Sequence, residues 1–341
     1  MLNYLIRRIA IMIPTLLVIS LATFVIIKLP PGDYLSNQIQ ELKAQGDEAA
    51  LEKLEFLRKE YGLDRSLLAQ YGMWMGFIEG PNGYSGILQG DLGWSFEYQR
   101  PVDEVVGDRL FFSFVLNFAT ILFVYAVSFP IGVYTAVRQY SISDHTMTLV
   151  GYLGLATPNF LLALLLMYLA KKYFGVSIGG LMDDQYVGQP WSMGKFVSVL
   201  EHLVVPVIVI GTSGTAGMIR RLRANLLDEL QKQYVTTARA KGLKGRQVLI
   251  KYPLRMALNP FVADIGNLLP QMISGSAIVA VVMSLPTSGP MLVNALQSQD
   301  QYLAGSFLLF LAFLTVIGMF ISDLLLAVLD PRIRLGAEAS R

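Results

Sequence analysis

The chain has 341 residues, 54 % hydrophobic and only 15 % charged, where an ordinary soluble domain carries about 25 % charged residues. It has no cysteine, which excludes a disulfide framework and Cys-ligated zinc or iron–sulfur sites, and its two histidines, His145 and His202, stand too far apart to suggest another metal site. A net charge of +2 is too small to imply a nucleic-acid partner, so the placement of the charges matters more than their sum.

The apolar residues gather into blocks near 9–29, 110–137, 147–170, 203–219, 258–285 and 303–329. Each approaches or exceeds the roughly 20 residues of a spanning helix, except the fourth, which is slightly short and extends at either end. The chain therefore reads as an all-α integral membrane protein with six transmembrane helices. Residues 1–29 begin like a signal peptide, with Arg7 and Arg8 before an apolar core. That core outruns the roughly 7–15 residues of a signal h-region. It ends in Lys28-Leu29-Pro30-Pro31 rather than a small-x-small cleavage site, so it is read as a retained N-terminal transmembrane helix.

Residues 30–108 form a long connection with a pattern of its own. Gln38 to Glu60 is charged and helix-forming, and helical spacing brings Leu51, Leu54, Leu57 and Tyr61 to one face. Asp64 is placed to cap a second short helix, Arg65 to Phe77, bearing Leu67, Leu68, Tyr71 and Trp74. Gly80-Pro81-Asn82-Gly83 is a turn cluster. The expectation is a small extracytoplasmic subdomain with an apolar underside.

Prolines mark the second and third blocks, at Pro130 and at Pro158 beside Asn159. Each frees a backbone carbonyl, as suits helices that bend around a pathway or simply pack with a kink. In the fourth block Gly211, Gly214 and Gly217 recur every third residue, a small-residue surface that lets helices approach closely. Asp264 and Asp323 lie at membrane depth, where a carboxylate is costly. They serve either helix-interface hydrogen bonding or, in a stand-alone ion-coupled carrier, proton or ion coupling. Residues 330–341 form a tail that opens on Asp330-Pro331-Arg332.

Lys and Arg cluster between the fourth and fifth blocks, from Arg220 to Arg255, and at both ends of the chain, whereas acids such as Glu41, Glu52, Glu60 and Asp64 dominate the first connection. By the positive-inside bias, both termini and the basic loop 220–257 are cytoplasmic. Within that loop Thr236, Thr237, Ala238 and Ala240 offer a small surface, Gly242 a left-handed stop, and Arg239 and Lys241 positive charge. A short helix of this kind suits docking into a groove on a soluble motor; a plain basic juxtamembrane helix has the same composition. Val248, Leu249 and Tyr252 begin a second piece that packs back under the membrane helices. No GxxxxGK[ST] motif occurs, so any ATP that drives the chain is hydrolysed elsewhere.

Residues 234–260 resemble the cytoplasmic loop of ABC importer permeases: an Ala-rich segment, a glycine, then an Ile-x-x-Pro run at Ile250 to Pro253. The family's Glu-Ala-Ala is here Thr237-Ala238-Arg239. Thr237 to Leu243 is similar to the form found in the dipeptide/oligopeptide/nickel permeases, first-subunit type. Tyr4 to Arg8, Tyr61 to Asp64, Gly90 to Gly93, Pro101-Val102, Thr157 to Phe160, His202-Leu203 and Leu329 to Ile333 match that family in order. The resemblance implies a type I ABC importer fold, with an ABC transmembrane type-1 permease core at 109–329. It implies a homologous second permease, two ATPase subunits carrying ATP and Mg, an extracytoplasmic solute-binding protein, and residence in a bacterial or archaeal cytoplasmic membrane. Thr236 to Gly242 would then meet the ATPase, and Trp74, Trp94 and Phe96 the binding protein. The chain itself would be no enzyme and hold no cofactor. The implied cargo is di- or oligopeptide, with oligosaccharides or opines as alternatives. Leu285-Pro-Thr-Ser-Gly289 replaces the family's Trp-Pro-Gly-x-Gly run, which leaves the cargo open.

Overall fold

The structure, a computed structural model, describes residues 2–32, 34–45, 48–80, 83–175, 178–264, 268 and 277–329. It is mostly helical. Among the described residues, Arg8–Lys28, Val102–Val137, Met193–Leu230 and Gln301–Leu324 are each long and apolar enough to cross a membrane. A fifth span results if Ile142–Ala156 and Asn159–Phe174, which meet at 97°, count as one. The described residues of the expected span 258–285 form the short helices Asn259–Ala263 and Ala277–Val282; most of its middle, like the tail 330–341, lies outside the described residues.

The bend is sharper than a proline kink. Pro158 removes a backbone donor and drives Thr157 to φ −85°, ψ 119°, so the helix ends and a new one starts at Asn159. Pro130 and Pro206, by contrast, sit inside unbroken helices. The fourth span is the long helix Met193–Leu230, 38 residues, well beyond the apolar block that announced it.

By proximity of backbone the chain divides into two compact units, Met1–Phe112 with Thr287–Ile317, and Ser113–Pro286 with Gly318–Arg341. In the first, α1 (Leu2–Lys28) is followed by α2 (Tyr34–Gln45), α3 (Glu48–Glu60) and α4 (Leu67–Met75). A two-residue hairpin pairs Trp94–Ser95 with Arg100–Pro101. Leu35, Ile39, Leu54 and Phe96 form a buried cluster over which Leu51, Leu57 and Tyr61 close, the face that helical spacing predicts. The cap of α4 is Ser66, whose hydroxyl accepts from the Ala69 amide, and not Asp64 two residues earlier. The hairpin is tied down by Asp300, fully buried, whose carboxylate accepts from the Ser95 hydroxyl at 2.6 Å and from the amides of Glu97 and Leu303 at 3.1 and 3.2 Å. Burial raises the pKa of this carboxyl despite those donors.

In the second unit α5 (Val102–Val137) contributes its later turns, and α6 (Ile142–Ala156) and α7 (Asn159–Leu169) pack on α8 (Met193–Leu230). The glycine stripe is only partly crowded. A Cβ on Gly211 would stand 2.7 Å from Cδ1 of Phe123, and one on Gly214 3.3 Å from Val124, but one on Gly217 meets nothing within 4 Å. Overpacking a site like the first costs about 1–3 kcal/mol. A Gly211→Val variant is therefore expected to melt well below the parent in detergent, whereas Gly217→Ala holds its melting point; equal melting points for all three proteins would contradict the packing.

Candidate functional site

The basic loop is a set of short helices mounted on the end of α8. Leu222 and Leu226 are fully buried there, with Ala136, Ala257 and Phe261 around them and Leu249 and Leu254 packed against the group. The chain then turns at Lys232 into α9 (Gln233–Ala240), α10 (Gly245–Lys251), α11 (Pro253–Ala257) and α12 (Asn259–Ala263). Pro253 opens α11, and Tyr252 before it takes φ −118°, ψ −81°, which separates α10 from α11.

The stop at the end of α9 is a Schellman motif. Gly242 has φ +79°, its amide donates to the Arg239 carbonyl at 2.9 Å, and the Leu243 amide donates to the Ala238 carbonyl at 3.4 Å. The accompanying apolar contact is present: Val235, Ala238 and Val248 form a small buried core closed by Leu243 and Tyr252. Val235 and Ala238, three apart on a helix, hold α9 to α10 along that face.

This corrects the reading of Ala238. It is 3 % exposed and points into the loop's own core, so it supplies no outer surface. The exposed face is Thr236, Thr237, Arg239 and Ala240, continued by Lys241 and Gly242. Helical phase decides the matter, because the residue that follows Val235 by three must share its side. Beside this face Leu243, Lys244, Arg246, Gln247, Ile250 and Lys251 border an open groove of about 600 Å³, ringed by cations. The acid nearest α9, Glu229, accepts from the Tyr234 hydroxyl; burial and then that carboxylate raise the phenol pKa. What remains to an incoming surface is mostly positive.

Two ion pairs brace the mount, and the sequence reading found neither. Arg223 reaches from α8 to Asp144 on α6 in a two-point bond, Nε to Oδ1 at 3.0 Å and Nη2 to Oδ2 at 2.9 Å. The Asp144 side chain is 3 % exposed, and its Oδ2 also accepts from the Tyr140 amide at 2.9 Å. The Ser141 hydroxyl caps α6 by accepting from the Asp144 amide, which fixes the backbone that carries this carboxylate. Arg221 pairs with Asp264 and also lies over the Phe261 ring at 4.5 Å. Asp264 thus has a cationic partner from the neighbouring helix, which the absence of any mid-span base had concealed. Asp323 is half-buried on the helix Gln301–Leu329.

The three aromatics expected to meet a binding protein do not form an outer surface. Trp74 and Phe96 are buried, and Trp94 packs on the cluster around Phe96. The Trp74 indole donates to Ser306 at 3.3 Å, and Phe96 lies between Tyr34, Tyr61 and Tyr302. Large aromatics bury area first, and their presence in a polar connection marks its core.

Comparison with known proteins gives a consistent picture. Residues 128–335 match the family described as binding-protein-dependent transport system inner membrane component, and residues 1–117 match the N-terminal region of such membrane components. The chain is 33 % identical to the oligopeptide transport system permease protein AppB of Bacillus subtilis (strain 168), over 97 % of this chain and 98 % of that protein. It is 30 % identical to the dipeptide transport system permease protein DppB of Escherichia coli (strain K12), over 98 % and 99 %. With the nickel import system permease protein NikB of Staphylococcus aureus (strain bovine RF122 / ET3-1) the identity is 28 %, over 95 % and 89 %.

The buried pair Asp144–Arg223 is open to a double-mutant cycle. Removing one partner of a buried pair costs about 3–5 kcal/mol, and the lower end applies here because Arg223 is partly exposed. Arg223→Ala is expected to lower the melting temperature sharply, while Asp144→Ala combined with Arg223→Ala loses much less than the two single losses added together. Strict additivity would show that the two side chains do not interact.

Proposed function

This chain belongs to the family of binding-protein-dependent transport system inner membrane components, and from that premise we propose that it is the first-type permease subunit of an ATP-driven importer for di- and oligopeptides. Members of the family are multi-pass permease subunits of the inner membrane and are not themselves enzymes. The proposed assembly adds a homologous second permease, two ATPase subunits that bind ATP and Mg, and an extracytoplasmic binding protein. Both chain ends and the loop 220–257 face the cytoplasm, residues 258–285 complete six spans, and the connection 30–108 belongs to the outer side of the membrane.

One observation carries this reading: a short helix with a small, cationic outer face and a fixed stop, braced on the end of the longest helix in the described structure. Thr236, Thr237, Arg239, Ala240, Lys241 and Gly242 form the proposed ATPase contact, with Ala238 as the strut behind it. In the proposed cycle, closure of the ATPase dimer draws the coupling helices of the two permeases together and favours an outward-open pathway. Hydrolysis then releases the cargo inward. Such a shift needs a difference in contact energy between the two states, and the α9 face is where it enters. The Arg221–Asp264 pair supports helix bonding rather than ion coupling for Asp264. Peptide cargo rests on the relatives named for oligopeptide and dipeptide transport.

In proteoliposomes holding the full assembly, Gly242→Asp and Thr237→Arg are expected to abolish ATP-dependent uptake of a labelled dipeptide while ATP hydrolysis continues and the chain stays in the membrane. Unchanged uptake by both variants would refute the coupling assignment. Unlabelled tripeptides should compete with the labelled dipeptide and oligosaccharides should not; the reverse order would reassign the cargo.

A further inference from the structure

Helix α4 exposes apolar side chains in a way that a segment in water does not. Leu67 and Leu68 are 61 % and 81 % exposed, and they continue a surface on which Leu21 and Val25 of α1 and Leu29 just beyond it also stand clear of the protein. These five residues, with Phe24, Lys28 and Tyr71, border one groove of about 260 Å³. Its two polar members are turned to protein: Lys28 donates to Gln70 and Gln301, and the Tyr71 hydroxyl lies 2.8 Å from Ser20 Oγ. Nothing polar is left to orient a soluble ligand.

Depth follows from length. Helix α1 has 27 residues, but its uncharged run lies between Arg8 and Lys28; at about 1.5 Å per residue that run extends about 29 Å, close to the hydrocarbon thickness of about 30 Å, so it has no turn to spare for water. Ser20 precedes Lys28 by eight residues, about 12 Å along the axis. The Tyr71 hydroxyl therefore reaches well below the end of the span. The Phe24 ring packs against Tyr71 and Trp74 at 5.4 and 5.8 Å, so α4 lies beside turns of α1 that are needed to cross the hydrocarbon.

Both ends of α4 are capped within the chain, which lowers the cost of such a position. Ser66 caps the first turn, and Gly76, at φ +85°, closes the last, with its amide on the Gly72 and Met73 carbonyls and the Phe77 amide on Gly72 at 2.7 Å. We propose that α4 is a half-inserted helix, immersed in the leaflet at the Lys28 end of α1, and that the groove between α1 and α4 holds a phospholipid acyl chain. The groove is continuous with the lipid-facing side of a membrane span, and that continuity selects lipid over a soluble partner. The inference goes beyond the permease reading and needs only that the chain resides in a membrane.

The absence of cysteine allows single-cysteine labelling without a background. The full-length chain, with the subunits that co-purify, is reconstituted in phosphatidylethanolamine/phosphatidylglycerol liposomes with a nitroxide at Leu68→Cys, at Leu67→Cys, at Val25→Cys as the lipid reference and at Glu55→Cys as the water reference. Collision with oxygen is compared with collision with a water-soluble nickel chelate. The oxygen-to-nickel ratio at 68 and 67 should match that at 25 and exceed that at 55 about tenfold, as oxygen partitions into hydrocarbon and the chelate does not. A ratio like that at 55 would place α4 in water, and exclusion of both reagents would mean that protein fills the groove; either result overturns the proposal.

Discussion

Hydrocarbon offers no partner to a backbone amide or carbonyl, and each unpaired group there costs several kcal/mol. That constraint decides where this chain is allowed to stop being helical. At Thr157 and Pro158 the α6–α7 break keeps the Thr157 amide on the Leu153 carbonyl, and the Asn159 side chain finds Ser213 on α8 at 3.2 Å. At Gly76 the left-handed turn closes the last carbonyls of α4. Pro14, Pro130 and Pro206 remain inside continuous helices, each leaving one carbonyl to its surroundings and no more.

Much of this was legible one residue at a time. Block length announces spans, a glycine after a short polar helix announces a left-handed stop, and leucines at helical spacing announce the face of α3 that closes on Phe96. What failed to show was rotation and pairing. Thr237-Ala238-Arg239 has no internal mark saying that the alanine faces Val248 while its neighbours face out; only the register from Val235 settles it. Trp74 and Phe96 read as surface because the segment around them is polar, yet a polar connection that folds must bury its largest rings first. Asp144 and Arg223 are 79 positions apart, and no local pattern predicts that one will neutralise the other.

The two bracing pairs differ in what they hold. Asp144 is nearly without access to water, so its charge is tolerable only with the two-point bond from Arg223, and the start of α6 is thereby fixed to α8. Arg221 and Asp264 are both partly exposed, and screening leaves such a pair little net stability. The Phe261 ring beneath the guanidinium adds a further contact whose geometry does not depend on the carboxylate. The first pair is therefore a joint and the second a guide, and only the first resists being pulled apart.

The length of α8 completes the mechanical argument. Its 38 residues extend about 57 Å, nearly twice the hydrocarbon thickness of about 30 Å. The excess includes the turns that carry Leu222, Arg223 and Leu226, and α9 is attached beyond them through Lys232. Because Val235, Ala238 and Val248 are buried together, a load on the outer face of α9 cannot be absorbed by tilting α9 alone; that would open a packed core. A load applied there would pass to α8, and through Arg223 to the start of α6. The 97° break between α6 and α7 ends the continuous helix that would carry it farther.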